Sequence, residues 1–262
     1  MTQHSTIQVN IHDNGCAEIS LNRPDIRNAL NNILIAELTQ AIKDCDASPN
    51  VRIVIIKGEG KVFCAGADLN YMKEIASYSY EQNLEDALCL GNLFETLDSC
   101  SKPTLAIIQG GAYGGGVGLV AVCDIAITTQ DAKFSLSEVR LGIIPAVISP
   151  YIINAIGQRH ARHYTLTARA LTAQEALQCG LVHYAVSDAE LETTTQQIIT
   201  HLLKGSPAAQ ASVKKLFRAI ESRPLNPDLA QFTARAIADA RTSADGQEGL
   251  KAFLEKRQPN WM

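Results

Sequence analysis

From Pro103 to Cys123 the chain carries no charged residue, and six of those positions are glycine. A stretch of that length and polarity has few physical solutions. As a helix it is long enough to cross a bilayer, but its glycines, its Gln109 and the closing Asp124 count against a span. It reads instead as a buried strand, turn and helix within a protein core: TLAII, then GAYGGGVGL, then a short helix through Cys123.

A buried strand of this kind needs similar neighbours, and the flanks supply them. VRIVII (51–56) is strongly β-branched, and DIAIT and KFSLSEVRLG follow the glycine run. Strands alternating with helices predict an α/β architecture with substantial parallel pairing. Residues 6–21 read as two short strands around an Asp-Asn-Gly turn. Asn28 or Asn31 then caps a helix with an apolar face of Leu34, Leu38, Ala41, Ile42 and Cys45. Residues 69–99 read as helical, with Leu84, Leu88, Leu90, Leu93, Phe94 and Leu97 on the apolar side. Beyond about residue 145 the pattern is helical: 148–166, 172–178, 188–204, 206–222, 226–243 and 245–257. The expected division is a β/α core over 1–195 and a helical segment over 196–262.

Composition narrows the partners. With a net charge of −4 and a pI near 5.9, no global field draws in nucleic acid or an anionic membrane, so any anionic ligand must be met by a few local Lys and Arg residues. Seven cysteines without a C-x-x-C pair imply reduced thiols in the cytoplasm, and no metal site is expected. The polar start MTQHSTIQVNIHDNG lacks the features of a signal peptide. His160 and His163, beside Arg159 and Arg162, read as a solvated face. Asp124 and His183 read as structural.

The glycine run leaves backbone amides bare at a helix N-terminus, where unpaired N–H groups and the helix dipole favour negative charge. Gly116 to Ala121 matches the dinucleotide pattern G-x-G-x-x-A, with Glu138 twenty residues past Gly118. That reading fails on spacing: DIAIT restarts a strand after about two helical turns, and Glu138 falls beyond it. The alternative is a carbonyl oxygen that becomes an oxyanion, which needs a second bare amide. Phe63-Cys64-Ala65-Gly66-Ala67-Asp68, also after a buried strand, supplies it, so Ala67 and Gly115 are the candidate donors.

FCAGADL, KPTLAIIQGGAYGGGVGL, AVCDIAI and FSLSEVRLGIIP, with LNRPDIRNAL before them and EGLKAFLEKRQPNW at the end, resemble the enoyl-CoA hydratase/isomerase (crotonase) superfamily. The resemblance covers essentially the whole chain in order. It implies a ββα superhelix with a helical C-terminal trimerisation segment, assembled as a homotrimer or a homohexamer (a dimer of trimers). It implies a CoA thioester held between the Ala67 and Gly115 amides, with Glu138 as general acid/base. Ala65, Asp68, Leu69 and Asn70 would line the acyl and pantetheine groups, and the Ala146 amide would hold water. Arg23 and Arg27 would lie near the CoA phosphates, and Phe253 and Lys256 near its nucleotide end, across a subunit boundary. No cofactor is implied beyond the coenzyme A of the substrate.

One position departs from the pattern. Gly118 stands where two-glutamate hydratases place their second carboxylate. The resemblance therefore leaves two chemistries, a hydratase working with Glu138 alone and a Δ3-Δ2-enoyl-CoA isomerase. ADLNYM, GGGVGLVAVCD and LGIIPAVISPYIINAIG resemble the 3-methylglutaconyl-CoA hydratase-like branch of leucine degradation. Ser149 is a candidate polar group for the acyl pocket and Arg140 a candidate for a distal carboxylate. A non-catalytic crotonase-like binding protein is the reading from another class.

Overall fold

The computed structural model describes residues 4–262, so the first three residues of the polar start lie outside the described residues. In chain order the elements are β1 (Ile7–Ile11), β2 (Cys16–Leu21), α1 (Asn32–Ala47), β3 (Ile53–Gly58), α2 (Leu69–Ile75), α3 (Tyr80–Ser99), β4 (Thr104–Ile108), β5 (Gly111–Tyr113), α4 (Gly115–Val122), β6 (Ile125–Thr129) and β7 (Lys133–Ser135). They continue as α5 (Ser149–Thr167), β8 (Leu171–Thr172), α6 (Ala173–Cys179), β9 (Tyr184–Val186), α7 (Asp188–Leu203), α8 (Pro207–Ile220), α9 (Pro227–Thr242) and α10 (Ala244–Leu254).

Six strands form the main sheet in the order β1-β2-β3-β4-β6-β9, parallel throughout except for the β1–β2 hairpin. Its central strands read as unbroken apolar runs because both faces are covered. On β3, Val54 and Ile56 join the larger core with Leu34, Leu38 and Phe94, while Ile53 and Ile55 pack with Ile198 and Ile199 of α7 on the other face. The period of two thus sorts one strand into two cores.

A second, smaller sheet (β5-β7-β8) lies alongside, with Cys64 joined to its edge by a parallel bridge to Ala112. The chain repeats one move: a strand in the main sheet, a short strand in the second layer, then a helix. β4-β5-α4 is one turn of this spiral. β6-β7 and the helical turn after it form the next. Gln109, the polar residue of the uncharged run, pins one crossing by donating to Gly58 O and Gly60 O.

Several sequence expectations change in detail. The 69–99 segment is two helices, because Ser79 caps α3 through a capping box with Gln82. Leu93, Phe94 and Leu97 are buried as expected, whereas Leu84 and Leu88 are exposed. Residues 195 and 196 lie within α7, whose Ile198 and Ile199 pack on the sheet. Asp124 accepts from Thr104 N at 2.7 Å and pairs with Lys214 at 2.5 Å, a structural role. The His183 ring accepts from Ala126 N at 3.1 Å, and burial lowers its pKa.

Candidate active site

Cys64, Ala112 and Phe134 form one row across three parallel strand segments. Ala67 and Gly115 stand three residues beyond the first two, and Glu138 four beyond the third. Successive turns of the spiral therefore deliver all three candidates to the same carboxyl-terminal edge, where open α/β sheets bind their ligands.

The segment carrying Ala67 lies between residues 27–30 on one side and 111–115 on the other. Leu30 brackets Ala67: its N–H donates to Gly66 O at 2.7 Å, and its carbonyl accepts from Asp68 N at 2.9 Å. Neighbouring N–H groups of extended backbone point to opposite sides. With the Asp68 N–H spent on Leu30, that of Ala67 points away from Leu30. Gly115 is the first residue of α4, whose opening amides have no intrahelical acceptor. Among the described residues, neither the Ala67 nor the Gly115 N–H donates to any acceptor.

Gly114 binds these parts together. Its φ of +49° and ψ of −120° place it outside the range open to side-chain-bearing residues. Its N–H donates to Ser135 O at 2.9 Å. A Cβ there would stand 3.1 Å from Glu138 Oε1 and 3.9 Å from the Gly66 Cα, so the acid and the Ala67 loop meet across this residue.

Glu138 opens the helical turn Glu138–Leu141 that follows β7. Its carboxyl is partly buried, and Oε2 is buried without a hydrogen-bond partner among the described residues. Burial pushes its pKa above the ordinary carboxylate value. An acid near two free donors, prepared to carry a proton, can move that proton beside a carbonyl whose charge the donors hold.

The wall beyond is apolar. A Cβ at Gly118 would meet Ile148 Cγ2 at 2.4 Å and Phe94 Cε1 at 2.9 Å, so Ile148 and Phe94 occupy the room that any side chain at Gly118 would need. Phe94 in turn packs on Tyr151, with ring centroids 5.8 Å apart.

The other expected site residues separate into groups. Asp68 is only 7% exposed and caps α2 by accepting from Asn70 N at 2.7 Å. Its second oxygen pairs with Arg23 at 2.8 Å, so both residues are spent on the loop rather than on a ligand. The Ala146 N–H donates to Ile144 O at 2.9 Å. The Ser149 hydroxyl donates to Pro145 O and is likewise used locally. Ala65 is half-buried and donates to Arg27 O, and the Leu69 and Asn70 side chains are exposed at the start of α2. Arg27 and Arg140 are exposed and make no ion pair among the described residues. Phe253, 81% exposed on α10, and Lys256 just after it are not part of the Ala67–Gly115–Glu138 group. Gly114 and Ile148 are the members that sequence reasoning missed. Gly114, the first glycine of the G-G-G triplet, was visible in the run, and nothing local marked Ile148.

Comparison with known proteins gives the family and the fold. A family model described as Enoyl-CoA hydratase/isomerase matches residues 12–262. An enoyl-CoA hydratase of Alternaria alternata is 38% identical over 242 residues, covering 91% of this chain and 78% of its own. The 2,3-dehydroadipyl-CoA hydratase of Escherichia coli is 34% identical over 249 residues, 93% of each chain. The crystal structure of an enoyl-CoA hydratase from Shewanella pealeana aligns with a TM-score of 0.96 at 42% identity, covering 99% of this chain and 97% of that one.

Proposed function

Because the chain belongs to the enoyl-CoA hydratase/isomerase family and has the crotonase fold, we propose that it is a hydro-lyase adding water to a 2-enoyl-CoA. One observation supports the reading: among the described residues, two N–H groups without acceptors and a buried carboxyl oxygen without a partner follow the ends of one strand row, with Gly114 between the acid and the Ala67 loop.

In this scheme the thioester oxygen sits between the Ala67 and Gly115 N–H groups. Ionised Glu138 takes a proton from water as the water oxygen bonds to C3. The double-bond electrons move toward the thioester, whose oxygen carries the enolate charge between the two amides and the α4 dipole. Glu138 then gives the same proton to C2 and returns to its ionised form. Fixed donors need no reorganisation as charge appears, and each is worth ~3–4 kcal/mol in the transition state. Ala65, Leu69 and Asn70 would flank the acyl chain and pantetheine, and Arg27 the CoA phosphates. Phe253 and Lys256 would reach the nucleotide end of a neighbouring subunit's substrate in a homotrimer or homohexamer. The scheme uses no cofactor besides the substrate's own coenzyme A.

The crowding at Gly118 favours one second reading. A site with a single carboxylate suffices to carry a proton from C2 of a 3-enoyl-CoA to C4, an isomerase reaction. For the acyl group we propose 3-methylglutaconyl, with Arg140, two residues beyond Glu138, meeting its distal carboxylate. A panel of 3-methylglutaconyl-CoA, crotonyl-CoA and a 3-enoyl-CoA, read out by product, tests all three readings. Hydration of the first two is expected. A product only from the 3-enoyl-CoA would establish the isomerase, and no turnover with any of them would leave a binding protein.

A further inference from the structure

Resting on the reading of Ala67 as an oxyanion donor, we infer that Arg23 is a positioning residue for that donor, acting through Asp68. The guanidinium joins the two backbone segments that bracket Ala67. One arm donates to Ala29 O at 2.5 Å, next to Leu30, and the other pairs with Asp68 Oδ2 at 2.8 Å, next to Ala67. The two direct bonds of Leu30, to Gly66 O and from Asp68 N, close the ring.

The ring has its own foundation. Arg23 N donates to the Asn28 side-chain oxygen at 2.9 Å, and the Asn28 amide donates to Glu59 O and Val62 O, both at 2.8 Å. Asn28 is fully buried and left-handed, with φ of 56°. Arg23 thus reaches the loop that enters the site by two routes, its backbone through Asn28 and its side chain through Asp68. Asp68 uses its other oxygen to fix the start of α2. Gly66 O and Asp68 N, on either side of Ala67, are tied to Leu30, and the Ala67 N–H itself has no acceptor among the described residues. The pair is largely withdrawn from water, with side chains 17% and 9% exposed, so it is screened far less than a surface pair. Cutting it would leave a buried charge without its partner beside the donor.

The effect belongs to the angle and distance at which the donor meets the thioester oxygen. A displacement of about an ångström at such a contact costs up to roughly a hundredfold in rate. The carbonyl stretch of bound butyryl-CoA, labelled with heavy carbon at the carbonyl and read by isotope-edited infrared spectroscopy, reports that contact directly. The unsubstituted protein should shift the band to lower frequency on binding.

Arg23→Gln should lose a large part of that shift and lower kcat for crotonyl-CoA hydration about ten- to a hundredfold, with KM within about threefold. Asp68→Asn, which keeps an oxygen for the α2 cap, should move the band the same way. Arg23→Lys, able to make only one of the two contacts, should fall between. A residue that only pins the fold would lower the melting temperature and leave band and kcat where they were. That result in the folded variants overturns the inference; if Arg23→Gln does not fold, Asp68→Asn and Arg23→Lys give the same reading. Absence of any band shift in the unsubstituted protein would instead overturn the oxyanion reading, and this inference with it.

Discussion

Glu138 is held at a cost. Burial raises its pKa, so between the unfolded and folded values the folded state binds more protons than the unfolded one. Stability from this group is therefore greatest at low pH and falls as pH rises through the folded pKa. Glu138→Gln removes the ionisable group and keeps the shape. Its melting temperature should match that of the unsubstituted protein below the unfolded-state pKa, rise above it through the interval up to the folded pKa, and stay above it at higher pH, in a pH series of thermal scans. Turnover should fall by about 10²–10⁴ or more while acyl-CoA binding is kept, as measured by calorimetry. The acid limb of kcat/KM, set by the ionised form, should lie above the pH of an ordinary carboxylate.

The helix after the glycine run shows which local rules decide. An alanine at Gly118 gains up to ~1 kcal/mol of helix propensity. Its Cβ, however, meets Ile148 at 2.4 Å and Phe94 at 2.9 Å, and overpacking of that kind costs about 1–3 kcal/mol. Gly118→Ala should lower the denaturation midpoint, and adding Ile148→Ala should restore part of the loss. The contact joins α4 to a residue thirty positions on, so neither partner signals it in sequence. Legibility divides along that line. The Asp-Asn-Gly hairpin and the Asn31 cap were readable because their causes lie within a few residues. The core-facing side of α1 followed from periodicity, and the proposal of Ala67, Gly115 and Glu138 rests on small-residue junctions and a motif resemblance. For Asp68 and Ala146 a motif gives position without showing the local hydrogen bonds that each already makes. Leu84 and Leu88 are exposed despite sitting on the expected stripe, since periodicity identifies an apolar face but not what covers it.

Across the whole molecule, the C-terminal helices are fastened to the core by few but specific ties. Arg52, at the start of β3, donates to the carbonyls of Leu203, Gly205 and Trp261. Lys214 of α8 bonds Lys102 O and Asp124. Against that polar attachment, Phe253 and Leu254 are 81% and 79% exposed, an apolar end of α10 left facing water in the single chain. If these residues close the proposed trimer, Phe253→Asp should yield a monomer by light scattering and raise KM for acyl-CoA more than it lowers kcat. The row that joins Cys64, Ala112 and Phe134 also bears on how the chain folds. Its members are far apart in sequence and pair only through the second sheet layer, a contact that forms late because long loops must close first. β7 carries the acid four residues beyond Phe134 and, through Ser135 O, fixes Gly114 beside the Gly115 amide. Recovery of turnover during refolding should therefore lag the return of secondary structure, and catalysis would clock the last turn of the spiral.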